Sequence, residues 1–345
     1  MKYPLLHETL KVGSIVLKNR LVMPPMATEK SAKGQVTDGL IAYYGDMARS
    51  GPGLIIQEHS FVSPDGRASA NQVSLAADAD IPGLQRLTAA VHAQGVPILA
   101  QISHAGSAAH RAITGQEVIS ASAVPNPSRA ASVHGQPEFP REMTQGDIQC
   151  IIQAFVDAAA RAQQAGYDGV EIHSAHGYLL DQFYSPLTNR RTDDYTGRTL
   201  EGRTRLQVEI IQAIRRRLGK DFVLSLRLGG SDYMDGGAVC AEVGQAAKLF
   251  EAAGLDMLSL SGGMSFFFRP GHTEAGYFAE LAEAAKTGTT LPVMLTGGIA
   301  DGAEAETFLE KGQADLIGIG RAALRDHQIY QKNLVNVTYT FALNQ

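Results

Sequence analysis

Cysteine is scarce: this chain of 345 residues has two, Cys150 and Cys240. Two thiols cannot build a disulfide framework or a four-thiolate metal site, which excludes a small stapled secreted scaffold and a zinc ribbon. Long apolar runs are missing as well. No stretch approaches the ~18 residues of a membrane-spanning helix, and the opening MKYPLLHETLKVGS has no apolar core of signal-peptide length. Charge of one sign is concentrated nowhere. Lys+Arg total 30 and Asp+Glu 35, a net of −5 without a basic block, so no nucleic-acid or membrane partner is indicated. With 44% hydrophobic and 19% charged residues, the chain is too apolar for disorder and can fill a large core. A soluble globular protein of a reduced, cytoplasmic setting is expected. The excess is in glycine, 36 residues, above the usual ~7%.

What is present is alternation. The apolar runs LVMPPM (21–26), GLIIQEH (53–59), PILAQIS (97–103), GVEIHSA (169–175), VLSLRLGG (223–230), DMLSLSGG (256–263), PVMLTGG (292–298) and DLIGIGR (315–321) have strand length. Most are continuously apolar, as parallel strands covered on both faces should be. Helical patterns separate them: 40–50, 80–94, 144–165, 203–218, 241–253, 274–286, 302–311 and 322–333. The third opens with Thr144-x-x-Asp147, a capping-box spacing. Eight strand–helix pairs, in a chain longer than the ~250 residues of a typical example, predict a (β/α)8 TIM barrel. A doubly wound sheet competes, but it wants a glycine-rich dinucleotide turn where Pro24-Pro25-Met26 stands. The barrel is expected as a single domain over 1–345, with its core at about 20–330 and a tail at 331–345. Residues 5–19 read as a hairpin capping the N-terminal end. Long excursions at 104–143 and 177–201 follow strands three and four, on the face where barrels carry active sites.

Polar groups at the C-terminal strand ends are the candidate site. They are Glu58 and His59, Gln101, His173 and His176, Arg227 and Arg321. An arginine inside VLSLRLGG is costly to bury unless it pairs with an acid or faces an electron-rich ligand. His173 and His176 have a zinc-like spacing without a nearby third ligand. They otherwise satisfy loop backbone, or face one ligand oxygen with Tyr178 as a proton donor. Gly297, Gly298 and Gly320, beside Arg321, match the phosphate cradle that barrels build after strands seven and eight, although glycines also make tight turns. Phe266, Phe267 and Phe268 read equally as a pocket wall and as an interface patch.

The segment GVEIHSAHGYLLDQFYSPLTNRRTDDYTG (169–197) closely resembles the old yellow enzyme family of FMN-dependent ene-reductases. So do KNRLVMPPM, AQISHAG (100–106), SLRLGGSD (225–232) and TGGIADGAEAETFLEKGQADLIGIGRAALRD (296–326), in the same order. The resemblance implies non-covalent FMN, with NAD(P)H as reductant and a small-molecule substrate. It implies that Pro25, Met26, Ala27 and His59 line the flavin, that Gln101 bonds its pyrimidine edge and that Arg227 lies by N1 and O2. Gly297, Gly298, Gly320 and Arg321 would hold the phosphate. His173 and His176 would bind the oxygen of an activated alkene, and Tyr178 would deliver a proton.

Two departures accompany the resemblance. Ala27 stands where many relatives have Thr or Cys able to bond flavin O4, and Thr28 is a substitute only if its side chain turns inward. His59 is larger and more polar than the small residue common there, and could crowd or tune the flavin edge. Larger relatives append an iron–sulfur segment and a second nucleotide-binding domain, and neither is expected from the cysteine-free tail. Alternatives remain: an amine or alicyclic dehydrogenase or demethylase on the same frame, or a metal-dependent barrel hydrolase. The alternating tail Val337, Tyr339, Phe341 and Leu343 docks on its own barrel or on a neighbouring subunit, so a homo-oligomer stays open.

Overall fold

In a computed structural model, which describes residues 2–334, the eight runs form one parallel sheet. The strands are β1 (Leu21–Met23), β2 (Leu54–Phe61), β3 (Ile98–Ser103), β4 (Gly169–Ser174), β5 (Val223–Ser231), β6 (Met257–Gly262), β7 (Val293–Leu295) and β8 (Leu316–Gly318). Each pairs with the next, and β8 pairs with β1 through Ile317 and Leu21, closing the ring. Helices cover it outside: α1 (Asp38–Arg49), α2 (Ile81–His92), α3 (Gln145–Gln164), α4 (Leu200–Leu218), α5 (Val243–Ala253), α6 (Ala279–Lys286), α7 (Gly302–Glu310) and the short α8 (Arg321–Arg325). The fold is the (β/α)8 barrel that the alternation predicts.

Its N-terminal end is plugged as expected. Leu10–Val12 and Ile15–Leu17 form an antiparallel hairpin around Gly13, whose φ of 55° suits glycine. Val12 and Leu17 drop into a buried layer with Val22, Leu54, Leu99, Val223, Met257, Met294 and Leu316, one or more from most strands. Burial of each such side chain stabilises the barrel by about 1.5–3 kcal/mol.

Local chemistry sets the element ends. Thr144 accepts from the Asp147 amide and Asp147 from the Thr144 amide, so α3 starts where the spacing placed it. Two helices differ from expectation. α6 begins at Ala279 rather than 274, because Gly276 at φ 73° breaks the approach and turns Tyr277 inward. The last predicted helix is two, α8 and Ile329–Leu334, separated at Asp326, which is extended. The two excursions fold over the C-terminal mouth. From the first, Asn126 Nδ2 donates to the Gly177 carbonyl at 2.9 Å and Ser128 Oγ to the His176 carbonyl at 3.2 Å, bracing the turn after β4. The reading of Val337, Tyr339, Phe341 and Leu343 lies outside the described residues. No described helix is long and apolar enough to cross a membrane.

Candidate active site

The C-terminal strand ends surround a cavity of about 560 Å³. Pro25, Met26 and Ala27 after β1, His59 in β2, Gln101 in β3 and Arg227 in β5 all line it. So do His173, His176 and Tyr178 at and after β4, Gly297 and Gly298 after β7, and Gly320 and Arg321 after β8. Sequence positions almost 300 apart thus meet in one space.

One end is built for an anion. Gly297 and Gly298 have φ of 112° and 74°, which is why β7 stops at Leu295 and the chain turns there. A Cβ on Gly297 would lie 2.9 Å from the Tyr277 ring, and one on Gly298 2.6 Å from the Glu274 carbonyl oxygen. The amides of Gly297, Gly298 and Gly320 donate to no carbonyl among the described residues. Arg321 Nη2 donates to Tyr277 Oη at 2.9 Å, which holds the guanidinium at the rim, and Arg325 lines the same end. Free amides beside fixed cations suit a phosphate group.

Elsewhere the lining carries hydrogen-bond donors. The His173 and His176 rings meet edge to face with centroids 5.0 Å apart, and Tyr178 lies 5.1 Å from His173. His176 has a φ of 64°, rare for a non-glycine residue. Its amide donates to the Gly262 carbonyl at 3.2 Å, and its Nε2 lies 2.7 Å from Ser261 Oγ. Burial, then the charge of Arg227, holds both imidazoles well below the usual histidine range, so they are neutral. Burial likewise raises the Tyr178 phenol, with Glu29 adding to it. Phe266 and Phe267 pack against His176 and line the cavity, while Phe268 lies under Arg129. All three are half-buried, which favours the wall over the interface patch.

Arg227 is buried. Its Nη2 donates to Ser261 Oγ at 3.3 Å, and its Nε has no partner among the described residues. Glu171, two residues before His173, faces the barrel interior. It accepts from Gln101 Nε2 at 2.8 Å and from Ser225 Oγ at 3.3 Å. Burial pushes its carboxyl up to about 7 against the opposing pull of Arg227. Among the described residues Arg227 forms no ion pair with any acid, and its guanidinium lines the cavity.

At the β1 end Ala27 offers no polar side-chain atom, and Thr28 does not replace it. Thr28 Oγ1 donates to Glu58 Oε1 at 2.7 Å and its amide to Oε2 at 2.9 Å. Glu58 is thereby a structural acceptor behind the wall and does not line the cavity. Sequence reasoning passed over Glu171, Ser261 and Tyr277. The first two stand at inward positions of quoted strands, two residues from His173 and from Ser259, where alternation marks them. Tyr277 had no such signal, because it sits in what looked like a helix. Among the described residues no group of three His, Cys, Asp or Glu side chains is placed to hold a metal ion.

A barrel mouth with free glycine amides, a buried guanidinium and paired imidazoles suits a phosphorylated, electron-rich ring. The sequence matches the NADH:flavin oxidoreductase / NADH oxidase family over residues 5–336. It is 40% identical over 331 residues to an NADH oxidase of Thermoanaerobacter brockii, covering 94% of this chain and 50% of that protein. It is 36% identical over 323 residues to an NADPH dehydrogenase of Bacillus subtilis strain 168, covering 93% and 91%. The fold superposes on the old yellow enzyme homologue from Zymomonas mobilis with a TM-score of 0.81 at 26% identity, covering 92% and 89%. The chain belongs to the NADH:flavin oxidoreductase family, that of the old yellow enzymes. It spans about half the length of the first curated relatives it matches.

Membership implies non-covalent FMN as cofactor and NAD(P)H as reductant. The residues present fit that group. The amides of Gly297, Gly298 and Gly320, which reach no carbonyl among the described residues, and Arg227 Nε, unpartnered among them, are donors that suit a phosphate and an electron-rich ring.

Proposed function

We propose that this chain reduces activated carbon–carbon double bonds (enones, enals and nitro-olefins) at the expense of NAD(P)H. The observation that carries the reading is the convergence of His173, His176 and Tyr178 in a cavity that also suits a phosphate. FMN would be held at its phosphate by Gly297, Gly298, Gly320 and Arg321, and at its ring by Gln101 and Arg227, with Pro25, Met26, Ala27 and His59 along its edge. The chemistry that FMN supplies when bound is hydride transfer from NAD(P)H to the substrate.

The chain's own residues then do three things. His173 and His176 donate hydrogen bonds to the substrate oxygen, where negative charge grows as the alkene accepts hydride at Cβ. Their neutrality matters: His176 keeps an acceptor nitrogen for Ser261 Oγ and an N–H for the ligand, and the His173 ring, whose Nδ1 has no partner among the described residues, also has an N–H to give. Tyr178 gives its proton to Cα, and the phenolate recovers one from water. One hydride and one proton cross the double bond, leaving a saturated carbonyl or nitro compound. Arg227 stabilises negative charge in the cavity.

The test is anaerobic stopped-flow of the FMN-loaded protein. Bleaching by NADH or NADPH, followed by reoxidation with 2-cyclohexenone or a nitro-olefin, is expected. Bleaching by amines, with none by either nicotinamide, would transfer the site to the dehydrogenase reading.

A further inference from the structure

His59 is the one imidazole in the cavity whose proton the mechanism leaves unused. Its ring stacks on Tyr178 with centroids 5.5 Å apart and planes at 18°. It meets His173 edge-on at 6.2 Å. It therefore stands on the side of the cavity where the substrate oxygen is to be bound.

The surrounding hydrogen bonds fix where its proton lies. Gln72 is buried, and its Oε1 accepts from the Ala68 amide at 2.7 Å. That assigns the other end of the Gln72 amide as the donor. Gln72 Nε2 lies 3.0 Å from His59 Nδ1, and it also reaches the His59 carbonyl at 3.3 Å and Ser103 Oγ at 3.2 Å. A ring nitrogen that accepts from an amide carries no proton. Burial and the Arg227 charge push the imidazole down to about 4, so it is neutral and its single proton sits on Nε2. Nε2 has no hydrogen-bond partner among the described residues, and the ring lines the cavity.

We propose that His59 Nε2–H is a substrate-directed donor. It acts beside His173 and His176 and selects alkenes that carry a second oxygen acceptor across the double bond from the first. The inference rests on the ene-reductase reading above and moves His59 from the edge of the flavin to that of the substrate. A two-acceptor alkene satisfies His59 while the other imidazoles hold its first oxygen. A one-acceptor alkene leaves the half-buried N–H to solvent and forgoes that bond, so it gains less on binding.

The test compares N-methylmaleimide, with two carbonyls, and 2-cyclohexenone, with one, as substrates of the FMN-loaded enzyme. His59→Phe keeps an aromatic ring on Tyr178 and removes the N–H. It should lower the maleimide-to-cyclohexenone ratio of kcat/KM by roughly ten-fold, chiefly through the maleimide KM. His59→Gln returns a donor and should restore most of the ratio. Gln72→Leu, which frees the tautomer, should shift it the same way by less. A ratio that stays within about two-fold in His59→Phe, or a loss that His59→Gln does not repair, overturns the proposal. If FMN-loaded wild-type enzyme reduces neither alkene, the ene-reductase reading itself fails and takes this proposal with it. If His59→Phe does not retain FMN, the ratio in His59→Gln and Gln72→Leu decides alone, and no change in Gln72→Leu overturns it.

Discussion

The guanidinium of Arg227 and the imidazole of His176 meet on one hydroxyl, Ser261 Oγ, at 3.3 and 2.7 Å. Because Arg227 only donates, Ser261 receives from it and has its own proton free for His176 Nε2. The relay leaves the His176 proton on Nδ1. In the proposed reaction, the group that would answer charge on the cofactor is thus wired to one that would answer charge on the substrate.

Ser261→Ala cuts that wire without removing either end. The KM for 2-cyclohexenone should rise several-fold, in line with about 1 kcal/mol for one neutral hydrogen bond, while FMN affinity changes little. Steady-state kinetics and an FMN titration on the same variant check both halves. An unchanged KM would remove Ser261 from the account.

Replacing His173 and His176 together by Ala should leave FMN bound and its reduction by NAD(P)H nearly intact. Enone reduction should fall by roughly 10²–10³-fold, the scale of losing donors to a developing oxyanion. Separate half-reactions in stopped-flow distinguish this from general damage. Equal losses in both half-reactions would contradict the assigned role.

Arg227→Met replaces a buried cation by an apolar chain of similar length. FMN should bind roughly ten-fold or more weakly, since a hydrogen bond to a charged group contributes about 1.5–3 kcal/mol. The folded chain should lose little stability, because a buried cation without an ion pair is removed and the Glu171 carboxyl it attracts can take up a proton. Flavin fluorescence quenching gives the first quantity and thermal denaturation the second. Undiminished FMN affinity would mean that Arg227 does not touch the cofactor.

The barrel was readable because eight apolar runs and their helices repeat a pattern that few folds satisfy. The cavity lining was readable because barrels place function at strand ends and five segments resemble one family. What escaped depended on the third dimension. Tyr277 enters the cavity only because Gly276 adopts a left-handed φ inside what looks like the start of a helix. Thr28 was ambiguous until Glu58, 30 residues on, proved to hold both its amide and its hydroxyl. The direction of the His59 proton was invisible because it is set by Gln72, in a different loop, and by Ala68 behind it.

Glu171 gives a pH prediction. Its carboxyl is raised from 4.5 to about 7 by burial, so between those values the folded chain holds a proton that the unfolded chain has lost. Its contribution to stability is therefore greatest below about 4.5 and declines as pH rises to about 7, by roughly 3 kcal/mol. Glu171→Gln keeps the shape and cannot ionise. Its melting temperature relative to wild type should rise from pH 5 to pH 8, and a constant difference would show that Glu171 stays ionised throughout.

The central claim is that the cradle of Gly297, Gly298, Gly320 and Arg321 and the stranded Arg227 belong to FMN. The most direct measurement is the visible absorption spectrum of the purified protein after incubation with FMN and removal of the excess. The account predicts a retained flavin band at one FMN per chain, bleached anaerobically by NADH or NADPH. Protein that stays colourless under these conditions would contradict it.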